Sequence, residues 1–306
     1  PGRSHSARPS TKPGRFWHFY AFPNLRSWMA WGAFFIPAYV AGLFAYAWAV
    51  MRPALATAPC RNGLLARIWR IAAFGGRSCP MMVRALAAFT AVFALLVLLY
   101  TGMEVMVVRA RPLWNTPFLP VQFAMTGMAG ALGLVLVLDR VFGPSDRAVA
   151  VKLSRLLVIA MAAALALGAV WLGFGMLRSD PVHAAALASV IDVPAWRMTA
   201  VWAGGVALLT VALALLPRLS WLAGLVALHA AWMFRWTVFI GGQTVPKTGA
   251  GQYEYHLPFG HDGLLGILGT GGLCLFLLIA ITSLLPWDRA ASGEAAPAPS
   301  SAARRA

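Results

Sequence analysis

Residues 85–108 read ALAAFTAVFALLVLLYTGMEVMVV, and Glu104 is the only charged side chain in the run. A helix needs about 20 predominantly apolar residues to cross the roughly 30 Å hydrocarbon layer of a bilayer. No water is present there to satisfy backbone groups, so a run of this length has to be helical. Reading outward, six further runs of similar character lie at 28–50, 118–138, 156–177, 198–216, 221–242 and 263–285. The fold class expected is therefore all-α, a polytopic membrane bundle of about seven transmembrane helices. Gly and Pro inside the runs, such as Pro37, Gly130 and Gly133, are compatible with this, because small residues let membrane helices approach closely. Trp28, Trp31, Trp171, Trp196, Trp221 and Trp287 fall near run ends, where an interfacial aromatic belt belongs.

Composition excludes a large soluble domain. Apolar residues make up 60% of the 306-residue chain and charged residues 11%, against about 25% charged in soluble domains. A polar, basic segment spans 1–27, the bundle 28–285, and an Ala/Pro/Ser tail expected to be disordered 286–306. The formal net charge of +16 could serve nucleic acid. The basic residues sit in tails and in loops between apolar runs, which points to membrane lipid instead and to no nucleic-acid partner. Within the long loop at 51–84, the stretch 64–74 carries Arg67 and Arg70 among Leu, Ile and Trp, a pattern suited to lying on the membrane surface.

Call the side holding the N-terminal segment X and the opposite side Y. Seven crossings place Arg52, Arg61, Arg67, Arg70, Arg77, Arg84, Arg140, Arg147, Lys152, Arg155, Arg218 and Arg289 on Y. The X loops hold Arg109, Arg111, Arg178, Arg197 and Lys247, diluted by Asp180, Asp192, Glu254 and Asp262. The positive-inside rule makes Y cytoplasmic, with the C-terminus on that side. The basic N-terminal tail argues the other way.

Cofactor motifs are sparse. Cys60, Cys79 and Cys274 form no C-x-x-C pair, so an iron–sulfur cluster carried by this chain is not expected. Among the histidines only His229 falls in a run, and a bis-histidine haem needs two, so no haem is expected either. The chemistry lies in polar residues within spans. Tyr100 and Glu104 are four apart and share a helix face, as do Gln122 and Thr126. Arg235 lies about two turns before the X end of its run. All five fall in the X half of the bilayer, and a charged residue inside a span is a functional hypothesis by default. The plainer alternative is a structural Glu104–Arg235 ion pair, or snorkelling to the interface.

These stretches also resemble a known family. Tyr100-Thr-Gly-Met-Glu104, followed by Arg109-Ala-Arg-Pro-Leu-Trp-Asn-Thr-Pro117, resembles the tyrosine-bearing helix and A-R-P-L-W-N-x-P loop of the NrfD/polysulfide-reductase membrane subunits. Arg26-Ser-Trp-Met-Ala-Trp-Gly-Ala33 is similar to a segment opening a middle helix of that family, and the stretch from Arg235 to Gln243 to a late-helix pattern. Family members usually carry two helices before the segment matching 26–33, so the chain from Pro1 is expected to lack them; its basic tail is then no topology signal. The resemblance implies a membrane anchor of a bacterial inner-membrane respiratory oxidoreductase. Such an anchor binds quinol or quinone (menaquinone or ubiquinone) and exchanges electrons with a ferredoxin-like iron–sulfur subunit, which serves a molybdopterin catalytic subunit. On this reading Tyr100, Glu104, Gln122, Thr126 and Arg235 form the quinone site. Arg109, Arg111, Trp114, Asn115, Lys247 and Tyr253 form the partner dock. An ion-coupled transporter or proton channel, and a passive anchor without a quinone site, are the competing readings.

Overall fold

The computed structural model describes residues 17–57, 64–75, 79–142, 146–245, 253 and 255–285. A short turn of helix, α1 (His18–Ala21), precedes α2 (Trp28–Thr57), the short helix α3 (Leu64–Ala72), α4 (Pro80–Met106) and α5 (Phe118–Phe142). These are followed by α6 (Arg147–Met176), the short α7 (Pro181–Ala188), α8 (Pro194–Ala214), α9 (Ser220–Thr244) and α10 (Leu264–Leu284). Seven of these helices are long and apolar enough to cross a membrane, so the protein is a multi-pass membrane protein.

Each expected run lies inside one of these seven helices or within a few residues of it, and several helices extend further. α2 continues past 50 through Arg52 to Thr57, α5 through Arg140 to Phe142, and α6 starts at Arg147 instead of 156. The reason is that an apolar run marks only the part of a helix in hydrocarbon, whereas charged turns continue it into the headgroup layer. Asp146 starts α6 by accepting from Ala148 N–H at 2.8 Å, filling one of the orphan donors at a helix start. The stretch expected to lie on the membrane surface forms the helix α3. Trp48 Nε1 donates to Ala72 O at its end (2.7 Å), and Arg52 lies over the Trp48 ring at 4.8 Å. The disordered tail expected at 286–306, Trp287 and Cys60 lie outside the described residues.

The bundle is built around small side chains. Helices α5, α6, α8 and α9 pack as a ring of four, and the α2–α4 pair joins it through the α4–α5 contact. The core of the ring holds Ala129, Ala150, Ala160, Ala207, Ala214, Ala223, Ala227 and Ala230 around Leu136, Leu157 and Met161. Large apolar side chains such as Leu134, Val135, Ile159 and Leu208 point outward, as expected where the solvent is lipid and interhelix contact depends on close packing. At the α5–α9 crossing, a Cβ on Gly133 would lie 2.6 Å from Gly224 O, and one on Gly224 2.5 Å from Gly133 O. Gly102 of α4 seats in the same way on the backbone of Pro120 at the start of α5. None of the residues of α10 is buried.

Gly133→Ala therefore forces α5 and α9 apart, and overpacking of this kind costs about 1–3 kcal/mol. Gly173→Ala, where nothing lies within 4 Å of an added Cβ, should instead be neutral or slightly stabilising, because alanine is the better helix former. Thermal unfolding of the purified protein should show a clear fall for the first and none for the second; equal midpoints would refute the crossing as described.

Candidate functional site

The polar residues of the X half fall into two groups, one on each side of the α4–α5 contact. Leu98 and Gly102 of α4 face α5, since Gly102 rests on Pro120 and Leu98 lies against Gly127. Tyr100 is two residues from each, about 200° round the helix. It points to α2, where its ring covers Gly32 so closely that no Cβ fits there. Tyr100 is buried, and its hydroxyl interacts with the half-buried Glu104 carboxyl one turn nearer the X end.

Arg235 reaches from α9 to α5 on the other side. Its guanidinium donates to Thr126 Oγ1, Phe123 O and Ala231 O, each at 3.2 Å, and lies 5.3 Å from the centre of the Phe123 ring. Thr126 passes its own hydrogen to Gln122 O at 2.7 Å. No ion pair joins Arg235 to Glu104 among the described residues. The structure thus brings Gln122, Thr126 and Arg235 together and sets Tyr100 and Glu104 on the opposite face of α4, rather than gathering all five at one wall. Spacing along a helix identifies which residues share a face but not which neighbour that face meets.

Gln122 borders a cavity of about 580 Å³ among α5, α6, α8 and α9. Trp171 and Trp196, expected as interfacial anchors, line this cavity instead. Trp196 is buried with the Cδ1–Nε1 edge of its ring against Gly241 of α9. Thr116 also borders the cavity, and its hydroxyl meets Nε2 of the buried His183 at 3.1 Å. Nδ1 of His183 is bound by the Asp180 carboxylate, and the imidazole sits between Phe118 and Phe174. Asp180 also caps α7, accepting from Val182 N–H at 3.2 Å. Apolar patterning gives no element at 178–193, and this relay was missed there. The available signal was Asp180-Pro181 with His183 three residues on from the aspartate, a helix-start pattern too short to stand out beside the spans.

The loop at 107–117 closes the X end. Arg111 donates to Gly242 O (2.8 Å), Gln243 O (3.0 Å) and Val245 O, placing its charge at the carbonyl end of α9, where the helix dipole favours a cation. Trp114 Nε1 donates to Val238 O at 2.7 Å, and its ring covers Gly242. Among the expected docking residues, Arg111 and Trp114 therefore fasten the loop to α9. Asn115 is half-buried, with its N–H on Arg111 O, whereas Arg109 and Tyr253 are exposed. Lys247 lies outside the described residues.

Residues 9–247 match the family described as "Polysulphide reductase, NrfD". The chain is also similar to one of the subunits of the tetrathionate reductase of Salmonella typhimurium (strain LT2). The two are 34% identical over 284 residues, which cover 89% of this chain and 74% of that protein.

The Asp180 carboxyl is held below its ordinary range, chiefly by the hydrogen bond with His183 and further by Val182 N–H, against a partial desolvation that pushes it up. A carboxyl lowered in the folded state adds stability above the ordinary carboxylate range and loses it as pH falls below that range. Asp180→Asn should lower the thermal midpoint at neutral pH, and the gap to the parent should close below about pH 4. A gap that stays constant across pH would show that ionisation of Asp180 contributes no stability.

Proposed function

The chain belongs to the NrfD polysulphide reductase family, as a membrane subunit of a reductase complex, and from that premise we propose that it is the quinol/quinone-binding anchor of the complex. In this role it exchanges electrons with an iron–sulfur partner subunit, which in turn serves the catalytic subunit. The observation that carries the reading is the Tyr100–Glu104 pair. A phenol and a carboxyl interact inside a membrane span, one turn apart at its X end, and Gly32 makes room for the ring. Intramembrane ionisable groups of this kind mark ligand or proton routes.

The residues suit a quinone headgroup, which accepts hydrogen bonds at its carbonyls and takes up or releases protons with its electrons. Tyr100 supplies a hydroxyl donor fixed by its packing on α2. Glu104, one turn nearer the X surface and half-buried, exchanges protons between that hydroxyl and water. Arg235, held by neutral acceptors on α5, keeps a fixed positive charge on the far side of α4 and biases the X half towards anionic states. Y is the cytoplasmic side on this reading, because the basic loops face it. The partner docks on X, at the surface formed by the loop at 107–117 and the segment holding Tyr253. Arg111 and Trp114 hold that surface rigid, while Arg109 and Tyr253 meet the partner. The same logic makes the complex an oxidoreductase of the bacterial inner membrane. Its oxyanion or sulfur substrate is handled by the partner, and the relative's name makes tetrathionate the first compound to try.

Tyr100→Phe removes one hydroxyl, and an interaction of about 1–1.5 kcal/mol corresponds to roughly a tenfold loss of quinol-dependent turnover with assembly of the complex intact. Unchanged turnover at limiting quinol would overturn the assignment. A photo-cross-linker at Arg109 and another at Tyr253 should each capture the iron–sulfur partner. Capture only from the α2–α4 connection on Y would reverse the sidedness.

A further inference from the structure

The α5–α6–α8–α9 cavity is separate from the Tyr100 face and has a graded lining. Its X end carries Gln122, Trp171, Trp196 and Thr237, whereas the deeper part is bordered by Met161 and Ala164. From Trp171 to Met161 the α6 backbone descends about 15 Å at 1.5 Å per residue, so the lining passes from polar near the X surface to apolar near mid-membrane. Its volume of about 580 Å³ lies within the 300–1,000 Å³ usual for small-molecule sites. The space opens sideways between α6 and α8, where Leu172 and Val201 are exposed. An added Cβ on Gly204 of α8 would meet nothing within 4 Å.

The polar end has hydrogen-bonding capacity that the protein does not use. Gln122 is 6% exposed, and its amide, which approaches Gly168 of α6, has no hydrogen-bond partner among the described residues. Trp171 Nε1, Trp196 Nε1 and Thr237 Oγ1 also lack a partner, but they are closed off within the lining, Trp196 Nε1 lying against Gly241 of α9. Buried polar groups are normally satisfied, so the unpartnered Gln122 amide beside this space indicates a ligand that hydrogen-bonds to it. The unpaired groups are neutral. Arg235 is occupied by α5, and Arg197 stands exposed at the rim. A phosphate head would need a buried cation, which these neutral groups do not provide.

We propose that this cavity is a second site for a quinone-class amphiphile, with a neutral carbonyl-bearing ring among Gln122, Trp171, Trp196 and Thr237 and a tail passing Met161 and Ala164 into lipid between α6 and α8. The choice of occupant rests on the proposed quinone exchange only in assuming that such molecules reach this protein. The site itself rests on the cavity and the unpartnered Gln122 amide beside it.

The assembled complex in lipid nanodiscs is irradiated with a photoreactive short-tail quinone, and the adducts are mapped by mass spectrometry. Adducts are expected on α6 and α8 peptides in addition to α4, and excess unlabelled quinone should suppress both sets. Gln122→Leu, which removes the amide, and Gly204→Leu, which fills the opening, should each reduce the α6 and α8 adducts about tenfold and leave those on α4 unchanged. The competition in the parent protein needs no variant and decides the matter even if a variant fails to fold. Adducts confined to α4 would overturn the second site and leave the Tyr100 reading standing. Adducts confined to α6 and α8 would support the second site and count against Tyr100. Labelling of α6 and α8 by a photoreactive phosphatidylglycerol that excess quinone does not displace would identify a lipid site and overturn the proposal.

Discussion

The close approach of α5 to α9 at Gly133 and Gly224 is the contact on which the rest of the bundle depends. In hydrocarbon, apolar side chains gain nothing by leaving lipid for one another, so helices associate where their backbones can come close. Each glycine here leaves no room for a Cβ against the other's carbonyl. With the two helices locked at that point, their X ends are held in a fixed relation. Arg235 on α9 then meets Thr126 and Phe123 on α5, and Trp114 reaches Val238 while Arg111 covers the last carbonyls of α9. The cavity on the inner side is what remains when helices joined by alanine at one end carry Trp, Gln and Thr at the other.

Much of the fold was legible in the sequence because a membrane span is a statement about length and polarity alone. The run at 85–108 needed no knowledge of its neighbours to be identified. Helix ends were less legible, since α6 begins among Arg147, Lys152 and Arg155, charges that an apolar count excludes but a headgroup layer accommodates. The polar site was half legible. Tyr100 with Glu104, and Gln122 with Thr126, follow from four-residue spacing, whereas the division between them depends on which face of α4 meets α2. That is settled by the close contacts at Gly32 and Gly102, whose partners across the helix interface the sequence does not name. Trp171 and Trp196 show the same limit. Their position near span ends is visible in the sequence, but whether an indole faces lipid or the interior is fixed by Gly241 and the α7 segment packed beside it.

Function, on the proposed reading, follows the same division of labour. The Y side meets the membrane surface through α3 and its arginines, and the X side gathers the intramembrane polar groups beneath a loop that Arg111 and Trp114 hold rigid. A protein arranged in this way supplies position and fixed charge, and the redox chemistry belongs to the molecules it holds. A transporter would instead need polar lining reaching towards Y, whereas the cavity becomes apolar at Met161 and Ala207.

The most direct test is a cryo-electron-microscopy map of the assembled complex in nanodiscs supplemented with quinone. The account predicts ring density within hydrogen-bond reach of the Tyr100 hydroxyl, with the nearest iron–sulfur cluster above the loop at 107–117 on the same side of the membrane. A cluster docked against the α3 side, or Tyr100 covered by protein with the ring bound elsewhere, would contradict it.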